Sequence, residues 1–183
     1  MLVTNNERVA KNARYLSTQA KDDPIEYIHS DVGFNYRLTN IQAALGVAQS
    51  DRLDEFVEKK REIAQKYSEA FATIPGIEVP MEAPYVESAF WLYTILINDE
   101  EYGMSSRDLL QSLHDLGIQC RPLWQPIHLN SPYTSAQTLG TDISIDLKSR
   151  AISIPCSVGL SEKEQMKVIQ SIISLSNSHL KKL

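Results

Sequence analysis

A long helical pattern in the first half of the chain constrains its fold more than any other feature. Apolar residues recur at helical spacing from Leu45 to Phe71, and Thr39 or Asn40 is suited to cap the start of this segment. Gly46 and Ser50–Asp51 interrupt the pattern, so we expect two helices or one kinked helix. The charged run within this segment then predicts a solvated helix face, Glu58–Glu62.

The remaining segments predict further helices and a few short strands. The predicted helices are Glu7–Ser17 (capped by Asn5 or Asn6), Met104–Leu116, Asp142–Arg150, and a last one from Ser161 to about His179. The predicted strands are Ile77–Pro80, Ala89–Ile97, Ile118–Arg121 and Ile152–Pro155. This order indicates an α+β domain in which helices cover one face of a small antiparallel sheet.

The first thirty residues fit this architecture poorly. Leu2–Thr4 resembles a strand that belongs to a sheet otherwise absent from the chain, which suggests that Met1 lies inside a longer protein. We therefore predict three segments. Residues 1–30 are a remnant of another domain, residues 31–74 are an interface loop with the long helical segment, and residues 75–183 are the α+β domain.

Composition excludes several classes of function. The net charge of −5 argues against nucleic acid as a partner, and no apolar run reaches the ~20 residues that span a bilayer. The four histidines are scattered without carboxylates at metal-ligand spacing, so we expect no metal site. Cys120 and Cys156 are far apart in sequence and are predicted to be free thiols of a reducing compartment, the cytoplasm.

Two loops carry residues suited to ligand binding. Gly33–Asn40 places an amide and a guanidinium just ahead of a helix start, where backbone N–H groups favour an anion. Arg121–Leu129 combines prolines with an arginine, Trp124 and His128, which suits the wall of a pocket for a small polar ligand. The alternative for this second loop is a proline-rich crossover that packs Trp124 into the core.

Together these motifs resemble the DegT/StrS-type sugar-nucleotide aminotransferases, which are fold-type-I enzymes that use pyridoxal phosphate (PLP). The resemblance rests first on Gly33–Asn40 with Gln42–Gly46 and Gln49. It continues through Arg121–Trp124 with His128-Leu129 and through Ile154–Cys156. It covers essentially the whole chain and implies that the α+β domain is the small C-terminal domain of such an enzyme, with 1–30 left from its large PLP-binding domain.

The resemblance also implies roles for individual residues. Asn35 would reach across a homodimer interface to the cofactor phosphate of the partner subunit, with Tyr36 and Arg37 beside the cofactor and the sugar-nucleotide site. Trp124 and His128 would lie near the substrate sugar. The implied reaction transfers an amino group, with glutamate as donor, to a nucleotide-linked keto sugar for surface polysaccharide or glycan precursors.

The family's reaction needs a lysine that forms a Schiff base with PLP. The ten lysines of this chain fall on predicted helix surfaces, helix ends or polar breaks, and none lies in a loop rich in Ser and Gly. We therefore expect this chain to be the part that follows the catalytic lysine, to bind no PLP alone and to be inactive alone. Two alternatives stay open: a sugar dehydratase of the same family, with histidine in place of the lysine, and a non-catalytic dimerisation or binding module, favoured if the gene begins at Met1.

Overall fold

The computed structural model describes residues 2–23 and 25–180, with side chains described to Ser176. The helices are α1 (Glu7–Ser17), α2 (Asn40–Ser50), α3 (Leu53–Phe71), α4 (Asp99–Tyr102), α5 (Ser106–Asp115), α6 (Asp142–Arg150) and α7 (Glu162–Leu180). The strands are β1 (Ile77–Glu78), β2 (Tyr93–Ile97), β3 (Arg121–Pro122) and β4 (Ala151–Ile154).

The chain divides into two compact units, Met1–Arg52 and Leu53–Leu183. The boundary falls at the break between α2 and α3, close to the predicted bend at Ser50–Asp51. The prediction of two helices in this region is confirmed. Our division into segments 1–30, 31–74 and 75–183 concerns the origin of each part and stays a prediction.

The second unit is built on a four-stranded antiparallel sheet with the order β1-β2-β4-β3. In the central pair, Tyr93 lies opposite Ile154 and Ile95 lies opposite Ile152. Paired residues point to the same face of the sheet, so these four side chains form one apolar surface. The expected small antiparallel sheet of an α+β domain is confirmed.

Helices α3, α5 and α7 pack on that apolar surface. In α3 the buried residues Ile63, Ala64, Tyr67 and Phe71 recur at helical spacing, which is the pattern predicted from the sequence. Polar groups in this core are paired: the Tyr67 hydroxyl donates to the Pro155 carbonyl at 2.8 Å. The second unit therefore has a continuous apolar core, in which the Tyr67 hydroxyl has a hydrogen-bond partner.

The first unit has very little core. The N-caps Asn6 and Thr39 are observed as predicted, and Thr39 forms a capping box with Gln42. However, neither α1 nor α2 contains a buried residue, and Ala20 is the buried apolar residue of this unit among those described. The apolar residues of α2 are left largely exposed, whereas Ala13 and Leu16 of α1 are half-buried.

Three strand predictions need correction. The strand predicted at Ile118–Arg121 is instead Arg121–Pro122, because proline is tolerated in this edge strand, where Pro122 pairs with Ile152 of β4. Leu2–Thr4 forms no strand in the described chain, because no neighbouring strand pairs with it. The strand predicted to begin at Ala89 begins instead at Tyr93. Phe90 has a φ of +42°, a left-handed conformation that interrupts extended backbone just before the strand.

The prediction that Glu58–Glu62 is a solvated face is wrong for two of its members. Lys60 and Arg61 are half-buried and bind backbone carbonyls of other segments. Long cationic side chains can lay their stems along apolar surface while their heads find acceptors, which charge patterning alone does not reveal. Among the described helices, none is both long and apolar enough to cross a membrane.

Candidate functional site

The predicted anion-facing loop, Gly33–Asn40, is fixed by backbone hydrogen bonds to the end of α1. The Phe34 amide donates to the Leu16 carbonyl at 2.7 Å, and the Tyr36 amide donates to the Ser17 carbonyl at 3.1 Å. These bonds alternate along the loop in the manner of a short antiparallel pairing. The backbone on both sides of Asn35 is thereby fixed.

Gly33 is required by the close approach of two backbone segments. A Cβ atom at this position would lie 2.2 Å from the Ala20 nitrogen, far inside van der Waals contact. Ala20 is fully buried there and has a left-handed φ of +50°, so it belongs to a tight turn that cannot easily move. The glycine of the motif therefore allows the loop to sit against this turn.

The loop presents three of the predicted site residues to the surface. Asn35, Tyr36 and Arg37 are all exposed. The ring of Tyr36 stacks on that of Phe34, with centroids 5.2 Å apart and planes 19° from parallel. An exposed amide, a phenol and a guanidinium are thus held together ahead of the α2 N-terminus, which suits recognition of an anion.

Trp124 lies on the surface of the second unit rather than in its core. Its ring stacks on that of Trp91 with centroids 5.9 Å apart and planes 9° from parallel. Trp91 and Trp124 are 69% and 64% exposed. The alternative of a crossover that buries Trp124 is therefore excluded. The second loop contributes one ring, Trp124, to an exposed pair of parallel indoles whose other ring, Trp91, precedes β2.

Trp91 is a residue that sequence reasoning missed, because its place in an apolar run indicated a core strand. The left-handed Phe90 ends the strand alternation, so Trp91 does not follow the buried face of β2. The apolar run around Trp91 gave no indication that its ring is exposed and stacked on Trp124.

Lys60 anchors the backbone that carries Trp91. Its ammonium group donates to the carbonyls of Trp91 at 3.0 Å, Cys156 at 2.9 Å and Phe90 at 3.3 Å. An ammonium has three N–H donors, so all of them are used. The side chain of Lys60 therefore ties α3 to the segments that precede β2 and follow β4.

A second cation anchors the same segment further upstream. Arg61 forms two hydrogen bonds with the Glu82 carboxylate, at 2.8 and 2.9 Å, and a third with the Ser88 carbonyl at 2.8 Å. The Ser88 amide also donates to Glu82. These bonds hold the pKa of Glu82 at about 2, well below its usual value, because they favour the ionised carboxylate.

His128 lies in the same loop as Trp124 and is half-buried. Its Nε2 atom is shielded from solvent and has no hydrogen-bond partner among the described residues. A shielded, unpaired imidazole nitrogen costs free energy unless a ligand or a partner surface supplies a bond. His128 therefore fits its predicted place beside a polar ligand.

Arg121 lies beside an open groove of about 650 Å³ that is also lined by His114 and Cys120. The His114 imidazole bonds the Cys120 carbonyl through Nε2 at 2.8 Å. Burial raises the pKa of the Cys120 thiol to about 12, so this sulfur is not a nucleophile at neutral pH. Cys120 and Cys156 are both free, as predicted.

The structure groups the predicted site residues on two loops. Asn35, Tyr36 and Arg37 share one loop of the first unit, and Trp124 and His128 share one loop of the second. Within the described part of the chain, no group of three His, Cys, Asp or Glu residues is placed to hold a metal ion.

Nearly the whole chain, including these two loops, is similar to known proteins. The EpsN protein of Bacillus subtilis (strain 168) is 36% identical over 179 residues, which are 96% of this chain and 45% of that protein. GDP-perosamine synthase of Caulobacter vibrioides is 33% identical and is matched by 94% of this chain over 46% of its own length. This chain thus spans about half the length of these relatives.

Solved structures show the same relationship. PseC of Helicobacter pylori, an aminotransferase involved in the biosynthesis of pseudoaminic acid, superposes with a TM-score of 0.81 and 25% identity. The match covers 96% of this chain and 48% of the PseC chain. A model of the DegT/DnrJ/EryC1/StrS aminotransferase family matches residues 1–173, which include both candidate loops. The chain therefore belongs to the DegT/DnrJ/EryC1/StrS aminotransferase family.

Proposed function

We propose that this chain is the C-terminal portion of a PLP-dependent enzyme that transfers an amino group from glutamate to a nucleotide-linked keto sugar. The observation that carries the proposal is the family match over residues 1–173, because it includes both loops that expose polar and aromatic side chains. Relatives named as GDP-perosamine synthase and as an aminotransferase of pseudoaminic acid biosynthesis support a nucleotide-sugar substrate. They also support a place in polysaccharide or glycan precursor synthesis.

The residues of the first unit fit the phosphate end of the cofactor. The exposed Asn35 amide can donate to a phosphate oxygen, and the loop that carries it is fixed by backbone bonds. Arg37 can bind a diphosphate or the carboxylate of the amino donor, since its planar fork matches either anion. PLP itself, when bound, supplies the electron sink for moving an amino group.

The lysine that holds PLP is, in this proposal, not among those of this chain. Most described lysines already have partners on helix surfaces: Lys11 with Glu7, Lys59 with Glu62, Lys66 with Glu162, and Lys167 with the Leu116 carbonyl. Lys60 uses its three donors on carbonyls. Lys181 and Lys182 lie outside the described residues. The chain alone is therefore proposed to be inactive.

A homodimer is part of the proposal. Leu38, Ile41, Leu45 and Val47 expose large apolar side chains on and just before α2. Ile41 and Leu45 are one turn apart on the same face of α2, and an exposed apolar face of this kind is normally covered by a partner. A second copy of the chain would cover it and would bring Asn35 to the partner's cofactor. A cytoplasmic setting is supported by the two free, buried thiols.

The oligomeric state gives a direct test of this part. Sedimentation velocity of the chain at tens of micromolar is expected to show a dimer or a larger species. The variant Leu45→Glu, which places a charge on the exposed face of α2, is expected to shift the distribution toward monomer. A monodisperse monomer for the unmodified chain would contradict the homodimer.

The catalytic part is tested by restoring the missing segment. The chain alone, incubated with PLP and borohydride, is expected to carry no pyridoxyl group on any lysine by peptide mass spectrometry. Fused to the part of EpsN that precedes the matched region, it is expected to move ¹⁵N from glutamate to a nucleotide-linked keto sugar. Loss of that transfer in Asn35→Ala and Arg37→Ala would support their roles.

Two other outcomes would point to the alternatives. The fused EpsN segment replaces the position at which lysine and histidine differ, so the dehydratase needs a separate test. A histidine in place of the lysine, in any segment that the gene encodes ahead of Met1, would indicate a dehydratase. Self-association without any turnover by the fusion would indicate a binding or dimerisation module. A pyridoxyl-lysine in the chain alone would contradict the proposal that its lysines do not anchor PLP.

A further inference from the structure

We propose that Trp91 is the residue on which the nucleobase of the substrate stacks, with Trp124 as the ring behind it. This inference rests on the proposed function, because it names the part of the nucleotide-linked substrate that this surface binds. The two indoles lie 9° from parallel at a centroid distance of 5.9 Å, and Trp91 is largely exposed, so its ring offers surface to a further aromatic plane. A nucleobase is such a plane.

The exposure of the pair argues against a purely structural role. Trp91 and Trp124 keep 69% and 64% of their surface in contact with solvent, although both are large apolar side chains. Burying an aromatic ring of this size is strongly favourable, so leaving two of them open, parallel and adjacent costs stability. A ligand that stacks on them recovers that free energy.

Trp91 is held ready for stacking before any ligand arrives. The Lys60 ammonium binds the carbonyls of Trp91 and Phe90, and it also binds the Cys156 carbonyl across to the end of β4. The backbone at Trp91 is therefore tied to the core of the second unit. A fixed ring loses little conformational entropy when a base stacks on it, which increases affinity. Lys60 is a positioning residue in this account.

The polar part of the ligand has a separate partner in the same loop. His128 lies four residues after Trp124 and keeps its shielded Nε2 without a hydrogen-bond partner among the described residues. This nitrogen suits a hydroxyl or phosphate group better than an aromatic plane. We therefore assign the base, rather than the sugar, to the indole pair.

Tryptophan fluorescence tests this assignment, because Trp91 and Trp124 are the two tryptophans of the sequence. The full chain is titrated with GDP and with UDP, and with inorganic pyrophosphate and glucose 1-phosphate as probes that lack a base. At least one of the two nucleotides is expected to quench the emission with saturation. Pyrophosphate and glucose 1-phosphate are expected to leave it unchanged.

Variants then assign the effect to Trp91. Trp91→Leu is expected to weaken nucleotide binding about 5- to 150-fold, the range for loss of one base-stacking ring, as followed by the emission of Trp124. Trp91→Phe, which keeps a ring, is expected to restore most of the affinity. Lys60→Met is expected to reduce both affinity and the near-ultraviolet circular dichroism of the stacked rings, and Lys59→Met, a neighbouring exposed lysine, to change neither.

Several results would overturn the proposal. They are the absence of saturable quenching by both nucleotides, equal quenching by glucose 1-phosphate, and unchanged affinity in Trp91→Leu. The last result, together with amino transfer by the fused enzyme, would reject the stacking role and leave the proposed function intact. Nucleotide binding that depends on Trp91, without any amino transfer, would reject the proposed function and leave the stacking site intact.

Discussion

The two units of this chain are stabilised in different ways. Leu53–Leu183 has a continuous apolar core that joins both central strands to α3, α5 and α7. Met1–Arg52 has Ala20 as its buried apolar residue among those described, and backbone hydrogen bonds and helix caps fix its geometry. Hydrophobic burial is the dominant favourable contribution to folding, so the second unit is expected to be much more stable than the first.

This difference affects the two candidate loops. The loop with Trp124 and His128 is connected to a packed core, and its neighbour Trp91 is anchored to that core by Lys60. The loop with Asn35 depends on a turn at Ala20 and on hydrogen bonds to the end of α1. The loop with Trp124 and His128 can hold its geometry in this chain alone. The loop with Asn35 needs an additional surface that covers the exposed apolar residues around it.

The largest expected difference comes from truncating an apolar side chain in each unit. Ile95→Ala removes a fully buried side chain of β2 in the core of the second unit and is expected to lower the free energy of unfolding of that unit by about 2–5 kcal/mol. Leu45→Ala removes one from the first unit that is 63% exposed, and in a monomeric sample it is expected to change the free energy of unfolding of that unit by less than about 0.5 kcal/mol. Urea denaturation measures both; similar losses would contradict the comparison.

Removing the Lys60 anchor is expected to have the next largest effect. Lys60→Met leaves three carbonyls without their donor and should cost the second unit about 1.5–3 kcal/mol, as for hydrogen bonds to a charged group. Lys59→Met is the matched control, since Lys59 makes an exposed ion pair with Glu62 one turn ahead. Equal urea midpoints for the two variants would show that the Lys60 contacts contribute nothing.

Adding one methyl group at Gly33 tests the first unit. Gly33→Ala forces the Ala20 turn apart and is expected to destabilise the local structure by about 1–3 kcal/mol, with loss of amide protection at Phe34 and Tyr36. Gly46→Ala is the control, because nothing lies within 4 Å of a Cβ at that position in α2 and alanine favours a helix. Retained protection in Gly33→Ala, measured by hydrogen exchange, would contradict the close approach.

The smallest expected effect is a pH dependence from the Arg61–Glu82 pair. The pKa of Glu82 is about 2 in the folded chain against an ordinary value of 4.5, so the ionised form is favoured by folding. The contribution to stability is complete above pH 4.5 and is lost as the pH falls from there to about 2. Subtracting the acid-unfolding profile of Glu82→Gln from that of the unmodified chain should isolate this window. Arg61→Met should narrow it, because the Ser88 amide still donates to Glu82. If the acid-unfolding profiles of Glu82→Gln and the unmodified chain were parallel, the contribution of Glu82 to the pH dependence would be contradicted.

Much of the fold was predictable because local signals agreed with the tertiary structure. Thr39 with Gln42, and Ser161 with Glu164, are capping boxes in the sequence and in the structure. The run from Tyr93 to Ile97 is rich in β-branched residues and forms a central strand. Helix caps and central strands are determined by residues close in sequence.

The missed features depend on contacts between distant residues. Lys60 was assigned to a solvated face, since its acceptors lie at Phe90, Trp91 and Cys156, far along the chain. Trp91 was assigned to a strand because it lies in an apolar run, whereas its stacking partner Trp124 lies far along the chain. In the candidate site, the exposed positions of Asn35 and Arg37 agree with the motif, whereas their roles toward a cofactor and a substrate stay predictions.

Native-state hydrogen exchange of the whole chain tests the central claim most directly. The claim is that the second unit folds on its own core while the first depends on surfaces outside itself. The predicted result is that amides of β2 and β4 exchange only through global unfolding, while those of α1 and α2 exchange orders of magnitude faster. Equal protection of the two units in a monomeric sample would contradict the account.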